Sequence, residues 1–148
     1  MALETFPRPC SIAAALTILG EKWSLLVVRE LALGVNRFDD IQRNTGAPRD
    51  ILSNRLRRLE ETGVLERRPY QERPLRHSYH LTESGNELRP ILLTLSQWGE
   101  KWTSQVNPAD WVHTCGEITE VTHTCKACGG EVTGLDLRLR RRDVESAA

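Results

Sequence analysis

The sequence predicts a mainly α-helical domain that carries a small β-ribbon and is followed by a small Cys/His-rich β appendage. Three observations support this fold class. Apolar residues recur at three- and four-residue steps over most of residues 11–102, which is helical periodicity. Residues 65–82 alternate instead with a period of two around a polar turn. Beyond residue 108 the composition changes, and three of the four cysteines fall between residues 113 and 128.

Length and composition are those of an ordinary globular protein. The chain has 148 residues, of which 39% are hydrophobic and 27% are charged, enough for one compact domain with a small appendage. No apolar run approaches the roughly 20 residues that a membrane helix requires. Residues 1–9 lack the apolar segment of a secretory signal. We therefore expect a cytoplasmic protein that has no membrane partner.

Two helices are predicted before residue 34. Ser11 is the predicted N-cap of a helix over residues 12–19, and Gly20 separates that helix from a second one over residues 22–33. The second helix is apolar nearly all round, so we expect it to be the buried one. Trp23 is expected to anchor the core or a contact between helices rather than to bind a ligand.

Residues 38–63 predict two short helices joined by a tight turn. The first covers residues 39–44, Gly46 is its left-handed cap, and Pro48 lies in the first turn of the next helix. The buried stripe of that second helix consists of Leu52, Leu56 and Leu59. Its opposite face carries side chains that read base edges and contact phosphates, namely Arg49, Asp50, Ser53, Asn54 and Arg57. By itself this pattern also fits a helix that is merely solvated.

A basic hairpin after the two helices favours DNA binding. Its strands lie within residues 65–82, and residues 71–76 form the predicted connection. A basic ribbon in this place is suited to phosphates or to the minor groove beside a recognition helix. The formal net charge of the chain is zero, yet between residues 49 and 76 eight arginines stand against five acidic residues. The dimer could thus present a basic face without being basic overall.

Several separate segments resemble the HxlR-type family of winged helix-turn-helix transcription regulators, which are relatives of the MarR group. The resemblance covers about residues 8–102, and its segments include Cys10, Gly20-Glu21-Lys22-Trp23, Arg37-Phe38, residues 56–63, residues 79–85 and Trp98-Gly99. It implies a homodimer that binds double-stranded DNA at an inverted-repeat operator. We expect the DNA contacts to come from Arg37, Arg49, Asp50, Ser53, Asn54, Arg57, Arg58, Arg73, Arg76 and His77.

The resemblance also implies that the first and last helices of the domain pack across a two-fold axis. From residue 83 onwards the apolar spacing exceeds what the core of a small domain needs, and such a stripe requires a partner. The expected dimer interface consists of Ile12, Leu16, Leu88, Leu92, Leu95, Trp98 and Trp102. Two recognition helices about one DNA turn apart, roughly 34 Å, would then enter successive major grooves.

Cys10 occupies the position where HxlR-type regulators that sense quinones, aldehydes or hypochlorite carry a reactive cysteine. The positive end of the helix that follows favours the thiolate, which is the form that reacts with electrophiles and oxidants. A bond to a cysteine of the partner subunit would change the distance between the recognition helices. The alternative is that Cys10 is simply a small apolar residue.

The region 108–138 is interpreted as the Cys/His-rich appendage, and residues 139–148 as a disordered tail. Cys125 and Cys128, with two glycines after them, have the spacing of a zinc knuckle. His113 and Cys115 supply the other two predicted ligands of one structural zinc per subunit, and His123 is the spare candidate. A reduced or redox-active thiol pair and inert cysteines are the alternatives, whereas a disulfide framework is disfavoured in a cytosolic chain.

The sequence therefore predicts a sequence-specific DNA-binding transcription regulator. We expect a repressor tuned by an oxidant, an electrophile or a small-molecule inducer. The alternative is a zinc-dependent regulator or protein-interaction module that uses the C-terminal Cys/His cluster. An enzyme is not expected, because no Ser/His/Asp or paired-carboxylate arrangement is visible and His77 and His80 lie on the hairpin.

Overall fold

Six helices and one two-stranded sheet make up the secondary structure of residues 10–107 and 109–140, the parts of the chain that the computed structural model describes. In chain order they are α1 (Ser11–Leu19), α2 (Ser24–Ala32), α3 (Phe38–Thr45), α4 (Arg49–Glu61), β1 (Leu65–Glu72), β2 (Leu75–Leu81), α5 (Glu83–Asn86) and α6 (Arg89–Trp102). This order confirms the predicted winged helix-turn-helix. The chain divides into two compact units, Met1–Gln105 and Val106–Ala148. The first two residues of the predicted domain and residues 141–148 of the predicted tail lie outside the described residues.

Helix α2 is the centre of the core of the first unit. It packs against α1, α3, α4, α6 and β2, and Val27 and Val28 are fully buried. The predicted buried stripe of α4 is confirmed, since Leu52, Leu56 and Leu59 are all buried and α4 packs on α2. Each such side chain contributes about 1.5–3 kcal/mol when it is removed from water. The stripe therefore fixes which face of α4 is left outside.

A buried carboxylate joins α2 to α3. Glu30 is 3% exposed, and its Oε1 accepts hydrogen bonds from Nε and Nη2 of the neighbouring Arg29 over 3.0 and 2.6 Å. Its Oε2 accepts a third bond from Nδ2 of Asn44 over 2.8 Å. A buried charge is tolerated when it is paired and hydrogen-bonded in this way. The network sets the position of α3 against the core.

The start of α2 differs from the prediction. Trp23 has φ 83°, in the left-handed region, so the helix begins at Ser24 and not at residue 22. A bulky residue in this region is strained and is held there by its surroundings. The main-chain oxygen of Trp23 accepts from Val27 N over 2.9 Å, and Lys22 Nζ lies 4.7 Å from the centre of its half-buried ring. Trp23 thus forms the sharp corner between α1 and α2.

Two other helix starts differ from the prediction by one residue. Cys10, not Ser11, is the N-cap of α1, and its carbonyl accepts from Ala14 N over 3.0 Å. Pro48 likewise caps α4 from outside the helix, with its carbonyl accepting from Leu52 N over 2.8 Å. The predicted left-handed cap of α3 at Gly46 is confirmed, with φ 73°.

The hairpin is longer than predicted. Strands β1 and β2 pair antiparallel from Leu65 with Leu81 to Glu72 with Leu75, so the connection is Arg73-Pro74 and not residues 71–76. The polar end extends because backbone hydrogen bonds between strands form whether or not the side chains are apolar. The register shifts after Pro69, which lacks an N–H to donate across the ladder.

The junction after the hairpin is tightly packed against the end of α4. Thr82 caps α5 by accepting from Gly85 N, and the hydroxyl of Ser84 donates to the Gly63 carbonyl over 2.8 Å. A Cβ atom on Gly85 would lie 2.1 Å from the main-chain oxygen of Val64. Only glycine fits this approach, which fixes the hairpin relative to the recognition helix.

The second unit consists of two short hairpins. One closes through a bridge between Val112 and Ile118, and the other through a bridge between Thr124 and Glu131. Within residues 109–140, as far as the structure describes this unit, no residue is buried. Its larger apolar side chains, such as Leu135 at 96% exposure, lie in solvent.

The apolar content of the described helices is modest. None of these helices is long and apolar enough by itself to cross a membrane. Only α1 and α2 taken together meet the length and composition criteria, and a bend of 77° separates them.

Candidate nucleic-acid interface

The outer face of α4 carries the predicted base-reading residues. Because Leu52, Leu56 and Leu59 turn inward, the polar positions between them turn to solvent. The structure places on this exposed face Arg49, Asp50, Ser53, Asn54 and Arg57. This set offers donors and acceptors to base edges and a guanidinium to guanine.

Arg49 is oriented by α3 before any ligand arrives. Its Nη1 donates to Oδ1 of Asp39 over 2.9 Å and to Oε1 of Gln42 over 3.3 Å. The guanidinium also stacks over the ring of Phe38, with 4.8 Å to the ring centre. Arg49 and Asp39 are both largely exposed, so this ion pair orients the side chain more than it stabilises the fold.

Arg57 and Asn54 form a second oriented pair on the same helix. Arg57 Nη2 donates to Oδ1 of Asn54 over 2.9 Å, and its Nε lies 3.9 Å from Oε1 of Glu61. The two exposed residues therefore form one connected polar surface. A guanidinium held in this way loses less side-chain entropy when it meets a base.

Arg58 is placed differently from the prediction. It was expected to contact DNA, but its Nε and Nη2 donate to the main-chain oxygen of Thr17 on α1 over 3.2 and 2.7 Å. Arg55, which the sequence did not single out, points the same way and pairs with Glu21 while its Nε donates to the Lys22 carbonyl over 3.4 Å. Arg55 and Arg58 both lie next to the apolar stripe of α4. This position in the sequence indicates that their side chains face the protein.

The β1–β2 hairpin is the wing of this fold, and it presents its free cations at its tip. Two arginines nearer its base are paired with acids, Arg67 with Glu60 over 3.1 Å and Arg68 with Glu66. Arg73 lies in the turn and Arg76 just after it on β2; both are exposed, and Gln71 Nε2 donates to the Arg73 carbonyl over 3.0 Å. The tip is therefore the part of the wing best placed to contact phosphates.

A cleft of about 450 Å³ between α3 and the wing brings several predicted contacts together. The predicted residues that line it are Arg37, Arg49, Arg76 and His77. Arg37 stacks over the ring of Tyr70 with 5.0 Å to the ring centre, a contact that the sequence did not predict. Burial raises the pKa of Tyr79 at the cleft wall, with Arg67 acting against this shift and Glu60 adding to it. Three arginines, Arg37, Arg49 and Arg76, and two carboxylates, Asp39 and Asp40, thus line the same cleft.

The predicted dimer residues fall into two groups. Ile12 and Leu16 on α1, and Leu95, Trp98 and Trp102 on α6, are exposed, the two tryptophans by 59% and 66%. Leu92 is instead 8% exposed and belongs to the core of its own chain, while Leu88 is half-buried. This corrects the expectation for Leu92, because α6 packs on α2 through its neighbouring positions. Cys10 is exposed at the N-terminal end of α1.

The predicted zinc ligands form two pairs. His113 Nδ1 lies 3.2 Å from Cys115 Sγ, and the thiol of Cys128 is hydrogen-bonded to that of Cys125. Backbone N–H groups of Cys128 and Ala127, together with the Cys128 thiol, lower the pKa of the Cys125 thiol. Among the described residues, the structure gathers no group of three or more His, Cys, Asp or Glu side chains about one point. His123 is exposed on the second hairpin.

Several known proteins are similar to this chain in sequence and in fold. The chain matches the HxlR-like helix-turn-helix family over residues 18–107. It is 42% identical over 126 residues to the uncharacterized HTH-type transcriptional regulator Rv3095 of Mycobacterium tuberculosis, covering 83% of this chain and 80% of that protein. The candidate transcription factor PA1607 is 30% identical over 92% of this chain and 97% of its own, with a TM-score of 0.76. The reduced form of YodB, a transcriptional regulator of B. subtilis, is 26% identical over 64% of this chain and 95% of its own, with a TM-score of 0.53.

Proposed function

Since the chain belongs to the HxlR-like helix-turn-helix family, and is therefore a transcription regulator and not an enzyme, we propose that it acts as a homodimer on an inverted-repeat operator. The observation that carries this proposal is the division of α4 into a buried apolar stripe and an exposed face of oriented polar side chains. Arg49 and Arg57 are each held by neighbours that leave donors free. In the cell the operator lies in the cytoplasm, where we expect the protein to act as a repressor.

DNA recognition is assigned to three surfaces of the first unit. The outer face of α4 reads base edges in the major groove, and the wing tip with Arg73 and Arg76 contacts phosphates or the adjacent minor groove. The cleft with Arg37 and His77 lies between the outer face of α4 and the wing tip. It accepts the DNA backbone that joins the two grooves. The acidic residues of this region are largely paired with arginines, so the free charge there is positive.

The homodimer is supported by the exposed apolar side chains of α1 and α6. Six of them are large enough to anchor an interface, namely Ile12, Leu16, Ile91, Leu95, Trp98 and Trp102. Tryptophan in particular is enriched at the centres of protein interfaces, where it buries a large area. Side chains of this size on two helices that both pack on α2 form a surface that a monomer rarely exposes.

The signal is assigned to the thiol of Cys10 or to a small molecule bound between the dimer helices. Cys10 is exposed and lies at the N-terminal end of a predicted interface helix, where an oxidant or electrophile reaches it. Oxidation by diamide would join two such thiols, with two protons and two electrons passing to the diamide. The similarity to a regulator whose reduced form has been solved supports a thiol signal.

The proposal is tested by measuring association state and DNA binding together. Sedimentation equilibrium of the full chain is expected to give a dimer, and Trp98→Glu is expected to give a monomer that no longer shifts DNA from upstream of its own gene. Leu135→Glu is the matched control, because Leu135 is more exposed than Trp98 but lies in the second unit. A wild-type monomer that binds DNA with full affinity would contradict the proposal.

A further inference from the structure

We propose that the second unit is a zinc-dependent module in which His113, Cys115, Cys125 and Cys128 bind one ion. The first observation is that this unit has no core of its own. No residue is buried within residues 109–140, and Val112, Ile118 and Leu137 are all more than half exposed. Units of this size lack enough apolar burial to hold a fold and usually depend on disulfides or metal ions. The cysteines within the described residues are free, so a disulfide does not supply the missing stability.

The second observation is that the two hairpins present their donors in the same way. In the first, His113 follows a bridging residue and its N–H donates to the Glu117 carbonyl over 2.9 Å. In the second, Cys125 follows a bridging residue and its N–H donates to the Gly130 carbonyl over 2.9 Å.

A left-handed glycine closes each turn after its second donor. Gly116 has φ 95° and Gly129 has φ 73°. Their N–H groups donate back to His113 O and Cys125 O, in both cases over 2.8 Å. The same backbone turn therefore carries two potential metal ligands in each hairpin.

The second hairpin brings two thiols and two backbone N–H groups close together. Backbone N–H groups of Ala127 and Cys128 point at the sulfur of Cys125, as they do where a chain folds round a metal-bound thiolate. The sulfur of Cys128 lies beside it and completes a pair of ligands. Gly130 lies next to this pair, and a Cβ atom there would make an ordinary contact of 3.5 Å with the Cys128 sulfur.

The first hairpin supplies a nitrogen and a sulfur at a suitable separation. His113 Nδ1 lies 3.2 Å from Cys115 Sγ. Two ligands at tetrahedral angles, with Zn–S of about 2.3 Å and Zn–N of about 2.0 Å, are about 3.5 Å apart. The Cys115 N–H donates to the same Nδ1 over 3.3 Å, and zinc bound at this nitrogen would take the place of that donor.

In the described residues the His113–Cys115 pair and the Cys125–Cys128 pair do not meet at one point, so zinc would have to draw the two hairpins together. The hairpins follow each other directly, with residues 119–123 between them, so closing a ring through the metal costs little chain entropy. The three thiols would release their protons to solvent on binding, and His113 would bind as the neutral imidazole. Thiolate and imidazole ligands in a tetrahedral set favour zinc over magnesium or calcium. Because the unit lacks a core, zinc binding would be coupled to its folding.

Metal content of the full chain tests this directly. The protein is incubated with zinc under reducing conditions, desalted, and measured by native mass spectrometry. One tightly held zinc per chain is expected, and it is expected to be lost in Cys125→Ser, Cys128→Ser, Cys115→Ser and His113→Ala. Cys10→Ser and His123→Ala are the matched controls, and both are expected to keep the ion.

A second measurement does not depend on how the variants fold. Cobalt added to the metal-free wild-type chain is expected to give thiolate-to-metal absorption in the near ultraviolet and the visible bands of tetrahedral cobalt. A wild-type chain that binds neither zinc nor cobalt would overturn the proposal. So would a wild-type chain whose Cys125 and Cys128 are joined as a disulfide that persists in reductant. Loss of zinc in His123→Ala but not in His113→Ala would overturn the ligand set.

Discussion

The guanidinium of Arg58 on the recognition helix donates two hydrogen bonds to the main-chain oxygen of Thr17 on α1, over 3.2 and 2.7 Å. Arg55, one turn earlier, pairs with Glu21 just beyond the end of α1. The helix proposed to read DNA is therefore tied directly to the helix that starts beside Cys10 and carries Ile12 and Leu16. A displacement of α1 at the proposed dimer interface would therefore be passed on to α4.

Replacing Arg57 and Arg58 one at a time distinguishes a residue that contacts DNA from a residue that holds α4 against α1. Arg57→Ala is expected to weaken operator binding by about 1–3 kcal/mol, because it removes a guanidinium from the outer face of α4. Arg58→Ala is expected to lower the free energy of unfolding by about 1.5–3 kcal/mol, since it removes a charged donor from a main-chain acceptor. Urea unfolding and gel-shift titration measure the two effects. An Arg57→Ala variant with unchanged affinity would remove that residue from the contact set.

A change at the wing tip is expected to act on all DNA sequences alike. Arg73→Ala should weaken specific and non-specific binding by similar factors and reduce the salt slope by about one, as for the loss of one phosphate contact. Arg67→Ala is the matched control, because Arg67 is already paired with Glu60. Titrations at several salt concentrations measure the slope. Selective loss of operator binding in Arg73→Ala would show instead that the wing reads bases.

The junction behind the wing is expected to tolerate no side chain at Gly85. Gly85→Ala would bring a carbon within 2.1 Å of the Val64 carbonyl oxygen. The free energy of unfolding should therefore fall by about 1–3 kcal/mol. The same substitution at Gly134, where an added Cβ meets no atom within 4 Å, serves as the control. Thermal unfolding measures both. Equal melting temperatures for the two variants would mean that the close approach of Gly85 to the Val64 carbonyl does not require glycine.

Cys10 is expected to be the site of any thiol response. Treatment with diamide should link two wild-type subunits covalently and lower their affinity for DNA, while Cys10→Ser should remain unlinked and keep its affinity. Non-reducing electrophoresis and gel shifts on the same samples measure both effects. Cys115→Ser distinguishes the second unit as a source of linkage. Oxidation of Cys10→Ser that still abolishes DNA binding would assign the response elsewhere.

Features set by local pattern were predictable from the sequence. The stripe of Leu52, Leu56 and Leu59 determines which face of α4 is buried, and Gly46 marks the turn before it because few other residues take a left-handed conformation there. The alternation after residue 64 located the hairpin. These elements place Arg49, Ser53 and Asn54 on one face, and family resemblance then supplied the winged helix-turn-helix order.

Features set by tertiary contacts were not predictable. Arg57 and Arg58 are adjacent and chemically identical, and although the apolar stripe of α4 indicates that Arg58 faces the protein, only the position of α1 supplies the Thr17 carbonyl that it contacts. Leu92 belongs to an unbroken apolar spacing, so the division of α6 between its own core and a partner depends on where α2 lies. Trp23 has no local reason to be left-handed, and the corner between two packed helices imposes it.

The most direct test of operator recognition by a dimer is selection of bound sequences from random double-stranded DNA with the full-length protein. We predict enrichment of an inverted repeat whose half-sites are centred about 10–10.5 base pairs apart, the spacing that places two recognition helices in successive major grooves. Enrichment of a single unrepeated half-site, or no enrichment above non-specific binding, would contradict it.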